Sequence, residues 1–397
     1  MGKSREVESG ALAGQGMILD TLIGQEKIWK RLVTAYENDH ITGAYLFHGP
    51  SGVGKEGIAI RFAGLVNCKA GGSALCGECS SCAKFNRLQH PNMTLIVPLP
   101  KDRDIKKNDP PAKALKDDTI TALAELISAK ADDPYTKIRL PRSNTILINS
   151  IREVREKIYL KAMETGRKMV LIFDADLLMT GDGSSANALL KILEEPPPET
   201  SFILITDFPE RLVETIGSRC QQVFFPPVQT EIVAKHLQES LATPAEEAKL
   251  IAHRAQGNVR MAKHLAKQDL EEVQNQLLSL VKWLTKPSEN NWRSFTQHAA
   301  STYRTNPQVL NFHFQLLSYW FRDAQFIQKM NGEAHIILEG MEYSLRKFVK
   351  HFPVGDFAAI VKELETCSSS LSRNYNLNLV ITNLLFDIQE NLHGTAG

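Results

Sequence analysis

Two groups of residues in this 397-residue chain have the types and the spacing to do chemistry. One is Cys68-x7-Cys76-x2-Cys79-x2-Cys82, four of the six cysteines in one short window. Closely spaced thiolates are soft ligands suited to a tetrahedral ion, and four of them leave no open position for a substrate. The pattern therefore predicts a structural Zn2+ site, with an iron–sulfur cluster as the other chemistry four thiolates support. Gly71, Gly72 and Gly77 give the chain freedom to wrap the ion. His90 lies nearby and reads as a surface histidine, since a fifth ligand is not needed. The other group is Gly49-Pro50-Ser51-Gly52-Val53-Gly54-Lys55, which satisfies G-x-x-x-x-G-K. Gly49, Gly52 and Gly54 let the backbone curl so that its N–H groups face phosphate oxygens, and Lys55 would reach the outer phosphates.

The metal half of that chemistry is missing. A working loop of this kind carries Ser or Thr after the lysine, and its hydroxyl ligates Mg2+. Here the residue is Glu56, whose carboxylate would repel polyphosphate. The Asp-Glu pair that orients metal and activates water at the end of a later strand is also absent, because the chain reads Phe173-Asp174-Ala175-Asp176. Asp176 is read as a solvated loop acid.

These residues must be positioned by elements whose signals are legible. Ala44-Tyr45-Leu46-Phe47 is an apolar run fit for a buried strand. The glycine loop breaks it, and helical composition resumes after Lys55. Residues 169–173 and 202–206 are two further apolar strands, and residues 119–130 and 185–195 read as helices, the latter stopped by Pro196-Pro197-Pro198. Ser150-Ile151-Arg152-Glu153 predicts a capping box opening a helix through Ile151, Val154 and Ile158. Alternating strands and helices imply an α/β parallel sheet with helices on both faces. Residues 98–118 are irregular and proline-containing, and read as a mobile insertion. Thr243-Pro244-Ala245-Glu246 starts a helix with Pro244 at its first helical position, and beyond Pro227 the chain reads as all-helical.

The composition is that of an ordinary globular chain: 43% hydrophobic, 23% charged, net charge +1. No strong global field draws it to nucleic acid or to a membrane surface, and no stretch is long and apolar enough for a span. Residues 1–16 are polar and lack the core of a secretory signal, so they read as a flexible leader. A cytoplasmic, reducing location is expected, which favours metal chemistry over disulfides.

Taken together, the motifs resemble the clamp-loader members of the AAA+ family. The resemblance rests on Leu22-Ile23-Gly24-Gln25-Glu26, the P-loop after residues 44–48, and the cysteine module directly behind the P-loop helix. It rests further on Asn187-Ala188-Leu189-Leu190-Lys191-Ile192-Leu193-Glu194-Glu195-Pro196-Pro197, on Ser218-Arg219-Cys220 and on Arg373-Asn374-Tyr375-Asn376. It implies an AAA+ P-loop domain over 17–227, with its zinc module at about 67–92 and an insertion at about 98–118. A helical lid over 228–285 and a helical collar over 286–397 would follow. It implies assembly with tau/gamma and delta subunits to place a sliding clamp on primed DNA, with ATP held between neighbouring subunits. Arg219 would be an arginine finger acting in trans, and Cys220 a packed residue. Thr206 and Arg260 match the family's sensors. With Gly49, Gly52, Gly54 and Lys55 they form a degenerate nucleotide site, for which weak ATP or ADP binding and none at all both stay open. The alternative is an active tau/gamma-like ATPase. Glu56 and the lost acidic pair oppose it, as does the early end of the chain, which leaves no long tail. A stand-alone zinc-bearing nucleic-acid binder is a third reading, opposed by the near-neutral charge.

Overall fold

The sheet grows from short apolar runs too buried to alternate. The structure, a computed structural model, describes residues 21–161, 164–268, 270–305, 307–330, 336–338, 340–370 and 377–393. The expected leader at 1–16 and the Arg373-Asn374-Tyr375-Asn376 segment lie outside these residues.

Helix α1 (Glu26–Glu37) buries Ile28 and Leu32. Strand β1 (Ala44–His48) runs into the glycine loop and then helix α2 (Lys55–Val66). A short helix α3 (Ser80–Asn86) lies in the cysteine window, and β2 (Met93–Ile96) follows it. Next come α4 (Asp117–Asp132), α5 (Ile148–Tyr159), β3 (Lys168–Ile172), α6 (Ser184–Glu194), β4 (Thr200–Thr206), α7 (Glu214–Gly217) and β5 (Gln221–Phe224). The five strands make one parallel sheet in the order β2-β3-β4-β1-β5. Ala44 stands opposite Phe202, and His48 opposite Thr206.

Side chains alternate between two cores, as the pleat requires. Tyr45, Phe47, Leu171, Phe173, Ile203 and Ile205 face one, and Leu46, Val170, Ile172, Phe202 and Leu204 the other. Every residue of β4 is buried, which is why it reads as a continuous apolar run.

Three local expectations need correction. The Ser150 capping box does not form. Helix α5 starts earlier, at Ile148, and its N-cap Leu147 makes no side-chain cap bond. Ser150 is drawn into the first turn, its N–H bonded to Leu147 O at 2.9 Å, and Glu153 pairs with Lys157 instead. Pro244 is the N-cap of helix α9 (Ala245–Ala255), one residue before the first helical position. The stretch at 98–118 is irregular apart from a 3-10 turn at Pro111–Ala114, yet it is anchored. Asn149 Nδ2 donates to Lys106 O and Asp109 O, and the half-buried Asp102 accepts from Thr119 Oγ1 and Arg142 Nη2, both at 2.8 Å.

Beyond β5 the described residues contain no strand. Helix α8 (Thr230–Leu241) leads to α9 and α10 (Val259–Leu265). The remaining helices are α11 (Leu270–Thr285), α12 (Glu289–Thr305), α13 (Pro307–Met330), α14 (Glu342–His351), α15 (Phe357–Ser370) and α16 (Leu377–His393). The long α13 is their axis, and its buried Trp320 and Phe321 meet Phe348 of α14 edge-on. Among the described residues no helix is long and apolar enough to cross a membrane.

Candidate functional site

The sheet order places the glycine loop at the carboxyl end of β1, between β4 and β5 and separated from β3 by β4, where open parallel sheets bind ligands. Gly49 takes φ +136, and a Cβ there would lie 2.2 Å from Phe225 O. Gly52 takes φ +72, and a Cβ there would lie 1.7 Å from Asn258 Oδ1. Gly54, at φ +96, is the N-cap of α2. The loop has therefore kept its glycines for their conformation and for close approach.

What fills the site comes from the chain itself. Lys55 is 4% exposed and turns back on the loop, donating to Gly49 O at 2.8 Å and Pro50 O at 2.6 Å. It also pairs with Asp207 Oδ1 at 2.6 Å. Burial lowers the pKa of Lys55, and Asp207 opposes that. Burial likewise works against the charge on Asp207, but Lys55 and Lys137 prevail and hold its carboxyl below the usual range.

Glu56 is buried between two ammonium groups. Lys130 Nζ binds Glu56 Oε2, and Lys137 Nζ lies 2.7 Å from Glu56 Oε1. Burial would raise the Glu56 pKa, yet Lys130 and Lys137 bring it down to about 2. Asp174, at the end of β3 with φ +51, accepts from Lys137 at 2.5 Å and from Arg139 Nη1 at 3.1 Å. Phe173 is buried, with Lys130 Nζ 5.5 Å from its ring centroid.

The two sensor-like residues are present and engaged. Thr206 Oγ1 donates to Asp176 Oδ1 at 2.7 Å and accepts from Phe208 N–H at 2.9 Å. Asp176 is thus 7% exposed and hydrogen-bonded, which corrects its reading as a solvated loop acid. Its partner on β4 is thirty positions away in the sequence and left no local signal. Arg260 Nη2 donates to Ser51 Oγ at 2.5 Å, and its backbone N–H reaches Gly52 O at 3.4 Å. Asn258 caps α10 by accepting from Met261 N–H, so the start of that helix sits on the loop. Arg219 lies elsewhere, exposed after α7, where it donates to Thr215 O at 3.0 Å and Glu194 Oε1 at 2.9 Å. Buried Cys220 follows it.

Sequence reasoning missed Lys130, Lys137, Arg139 and Asp207. Asp207 follows Thr206 directly and was readable as a strand-end acid. The three cations come from the end of α4 and the loop after it, where no motif marks them.

The second centre is assembled at the far end of α2. Cys68, Cys76, Cys79 and Cys82 place all four Sγ atoms within 4.8 Å of one another. Cys76 and Cys68 lie 3.8 Å and 3.7 Å from Cys82, sulfur to sulfur. A tetrahedron with Zn–S bonds of about 2.3 Å has edges of about 3.8 Å, so the thiolates fit that ion. The N–H groups of Cys79 and Cys82 donate to Cys76 and Cys79 sulfur, the outer-shell support such a ligand set uses. His90 is 3% exposed, stacked on Phe85 and bonded to Ser81 Oγ at 3.0 Å. That corrects its reading as a surface histidine: its ring is core, and its polar atoms have partners inside.

A five-stranded parallel α/β sheet carries a glycine loop after β1, with lysine, threonine and acids gathered at the strand ends. The family model described as "DNA polymerase III, delta subunit" matches residues 24–229, just over half of the chain. Subunit delta' of DNA polymerase III from Bacillus subtilis (strain 168) is 25% identical over 92% of this chain and 96% of its own length. The delta' subunit of Escherichia coli (strain K12) is 30% identical over 66% of this chain and 75% of its own. The tau subunit of Bacillus subtilis is 28% identical over 65% of this chain, a match that spans 40% of tau. The chain belongs to the DNA polymerase III delta family, on the delta-prime side of the clamp loader.

Proposed function

We propose that the chain is a non-hydrolysing subunit of the replicative clamp loader, which lends Arg219 to the ATP site of a neighbouring subunit. One observation carries the first half: Asp174, the strand-end acid nearest to a water-activating position, is held by Lys137 and Arg139 and is not free to act as a base. The second half is supported by the exposure of Arg219, whose partners Thr215 and Glu194 lie outside the loop site. A planar, permanently charged guanidinium suits charge developing on a γ-phosphate. In this reading residues 17–227 form the P-loop domain, 228–285 the lid and 286–397 the collar that assembles with tau/gamma and delta subunits. The cysteine centre holds structural zinc, and the sliding clamp and primed DNA are met through the complex.

The test is steady-state ATPase of the isolated chain and of the reconstituted loader. The isolated chain should show no turnover. Arg219→Ala should lower kcat of the assembled loader on the order of 10³-fold for the one site it completes, with assembly intact. Normal turnover at every site of that mutant complex removes the trans-arginine role. Mg2+-dependent hydrolysis by the isolated chain, abolished by Lys55→Ala, replaces the proposal with a tau/gamma-like motor.

A further inference from the structure

The fold implies Mg2+ with a nucleotide, and the residues at the loop do not fit that pair. Glu56 stands at the hydroxyl-ligand position, and Asp174 ends the strand that would supply the acidic pair. Both carboxylates point at one cation already present, Lys137 Nζ, which lies 2.7 Å from Glu56 and 2.5 Å from Asp174. We propose that the ammonium of Lys137 is a built-in replacement for the divalent cation, and that residues 130–139 plug the glycine loop so that it takes no metal–nucleotide at all. The inference rests on the non-hydrolysing reading above and goes beyond it, since a chain without turnover can still bind ATP.

Three independent features converge. The first is charge. Lys55, Lys130, Lys137 and Arg139 face Glu56, Asp174 and Asp207 in direct ion pairs, so each of these three acids already has a cation without any ligand. A polyphosphate would have to break several buried pairs, each left with an uncompensated partner. The second is the lysine of the loop. Its ammonium is spent on Gly49 O, Pro50 O and Asp207, where an open loop would turn N–H groups and lysine toward phosphate. The third is the roof. Asn258 Oδ1 occupies the space over Gly52, and Arg260 holds Ser51, so the start of α10 closes the loop from above. Lys130 also donates to Pro134 O and Thr136 O, which fixes the turn that delivers Lys137. The segment between α4 and α5 thereby acquires a role: it supplies from within what other P-loop proteins take from solution.

The experiment uses the zinc-loaded full chain with Mn2+ as a paramagnetic stand-in, followed by electron paramagnetic resonance and by thermal shift. The wild-type chain should bind neither Mn2+ nor Mn2+–ATP at the loop, and its Tm should not move. Lys137→Met leaves two facing carboxylates and should gain an Mn2+ site at least about tenfold tighter than any in the wild type, a change of about 1.4 kcal/mol, with a rise in Tm on adding the ion. Lys137→Gln keeps hydrogen-bond donors for both carboxylates, and is the variant to read if the methionine substitution fails to fold. Mn2+–ATP binding by the wild type at ordinary micromolar affinity overturns the plug. So does a folded Lys137 variant that binds no more Mn2+ than the wild type. A wild type that binds nucleotide without hydrolysing it would sink this inference and leave the trans-arginine reading standing.

Discussion

Asp176 shows how a buried charge at the strand ends can cost stability through a single residue. Burial, and after it the charge of Asp174, push its pKa up to about 6, against the hydrogen bond from Thr206 and the nearby Arg211. An acid with a raised folded pKa binds its proton more tightly folded than unfolded, so its contribution to stability declines as pH climbs from 3.8 to about 6. Asp176→Asn removes the titration and can still accept from Thr206. It should stabilise the chain by about 1–3 kcal/mol at pH 7.5, and the gain should vanish below pH 4. Denaturation midpoints of both proteins at the two pH values check this, and an equal gain at both would show that charge is not the cause. Gly52 tests the roof over the loop. Gly52 and Gly71 share nearly the same left-handed φ, +72 and +68, but only Gly52 would meet another atom, whereas Gly71 has nothing within 4 Å. Gly52→Ala should therefore lose the roughly 1 kcal/mol backbone cost expected at Gly71 plus the cost of displacing Asn258 from α10. Comparable Tm losses for the two substitutions would mean that Asn258 yields freely.

At the scale of elements, the cysteine module is a staple on α2. Cys79 is both one of the four candidate ligands and the N-cap of α3, and Phe85 of α3 lies fully buried against Gly64 of α2. Metal binding there would be coupled to the packing of α3. Chelation, or Cys82→Ser, should remove about one zinc per chain and lower Tm by several degrees, with hydrogen exchange rising first in residues 68–90. Unchanged Tm after verified metal loss would contradict a structural role. The clustering of the module's four thiols was legible because they are close in sequence. The central strands were legible for a related reason: β1, β3 and β4 are buried on both faces, so each is a plain apolar run. The edge strands β2 and β5 were not foreseen. β5 is Gln221–Phe224, largely exposed, and has no apolar pattern to read. The lost Asp-Glu pair was readable from Phe173-Asp174-Ala175, but the cations that neutralise the site were not. Lys130 and Lys137 reach Glu56 from more than seventy residues away, and a single sequence carries no trace of such a contact.

For the molecule as a whole, the helices after β5 meet at a seam of histidines. His264 of α10 packs edge-on against Phe312 of α13, joining the helices that roof the glycine loop to the final bundle. Next to Phe312, His313 Nδ1 and His298 Nε2 lie 3.1 Å apart, and Trp283 of α11 closes over His298. Burial, then the neighbouring His298 and His264, bring the pKa of His313 down to about 4 from 6.5. Burial lowers His298 and His264 too. A histidine whose folded pKa is depressed is held neutral in the fold, while the unfolded chain takes up a proton below 6.5. Its contribution is complete above that pH and is lost as pH falls to about 4, the opposite sign to Asp176. The loss from His313 is at most about 3 kcal/mol, a sizeable share of the stability of an ordinary domain. His313→Gln keeps a polar partner for His298 and cannot charge. It should cost stability at pH 7.5 and flatten the fall in unfolding free energy between pH 6.5 and 4.5. If the seam couples the two groups of helices, exchange protection in α10 and α13 should drop together over that range in the wild type and not in the variant. A fall of the same steepness in both proteins would place the acid sensitivity outside the seam.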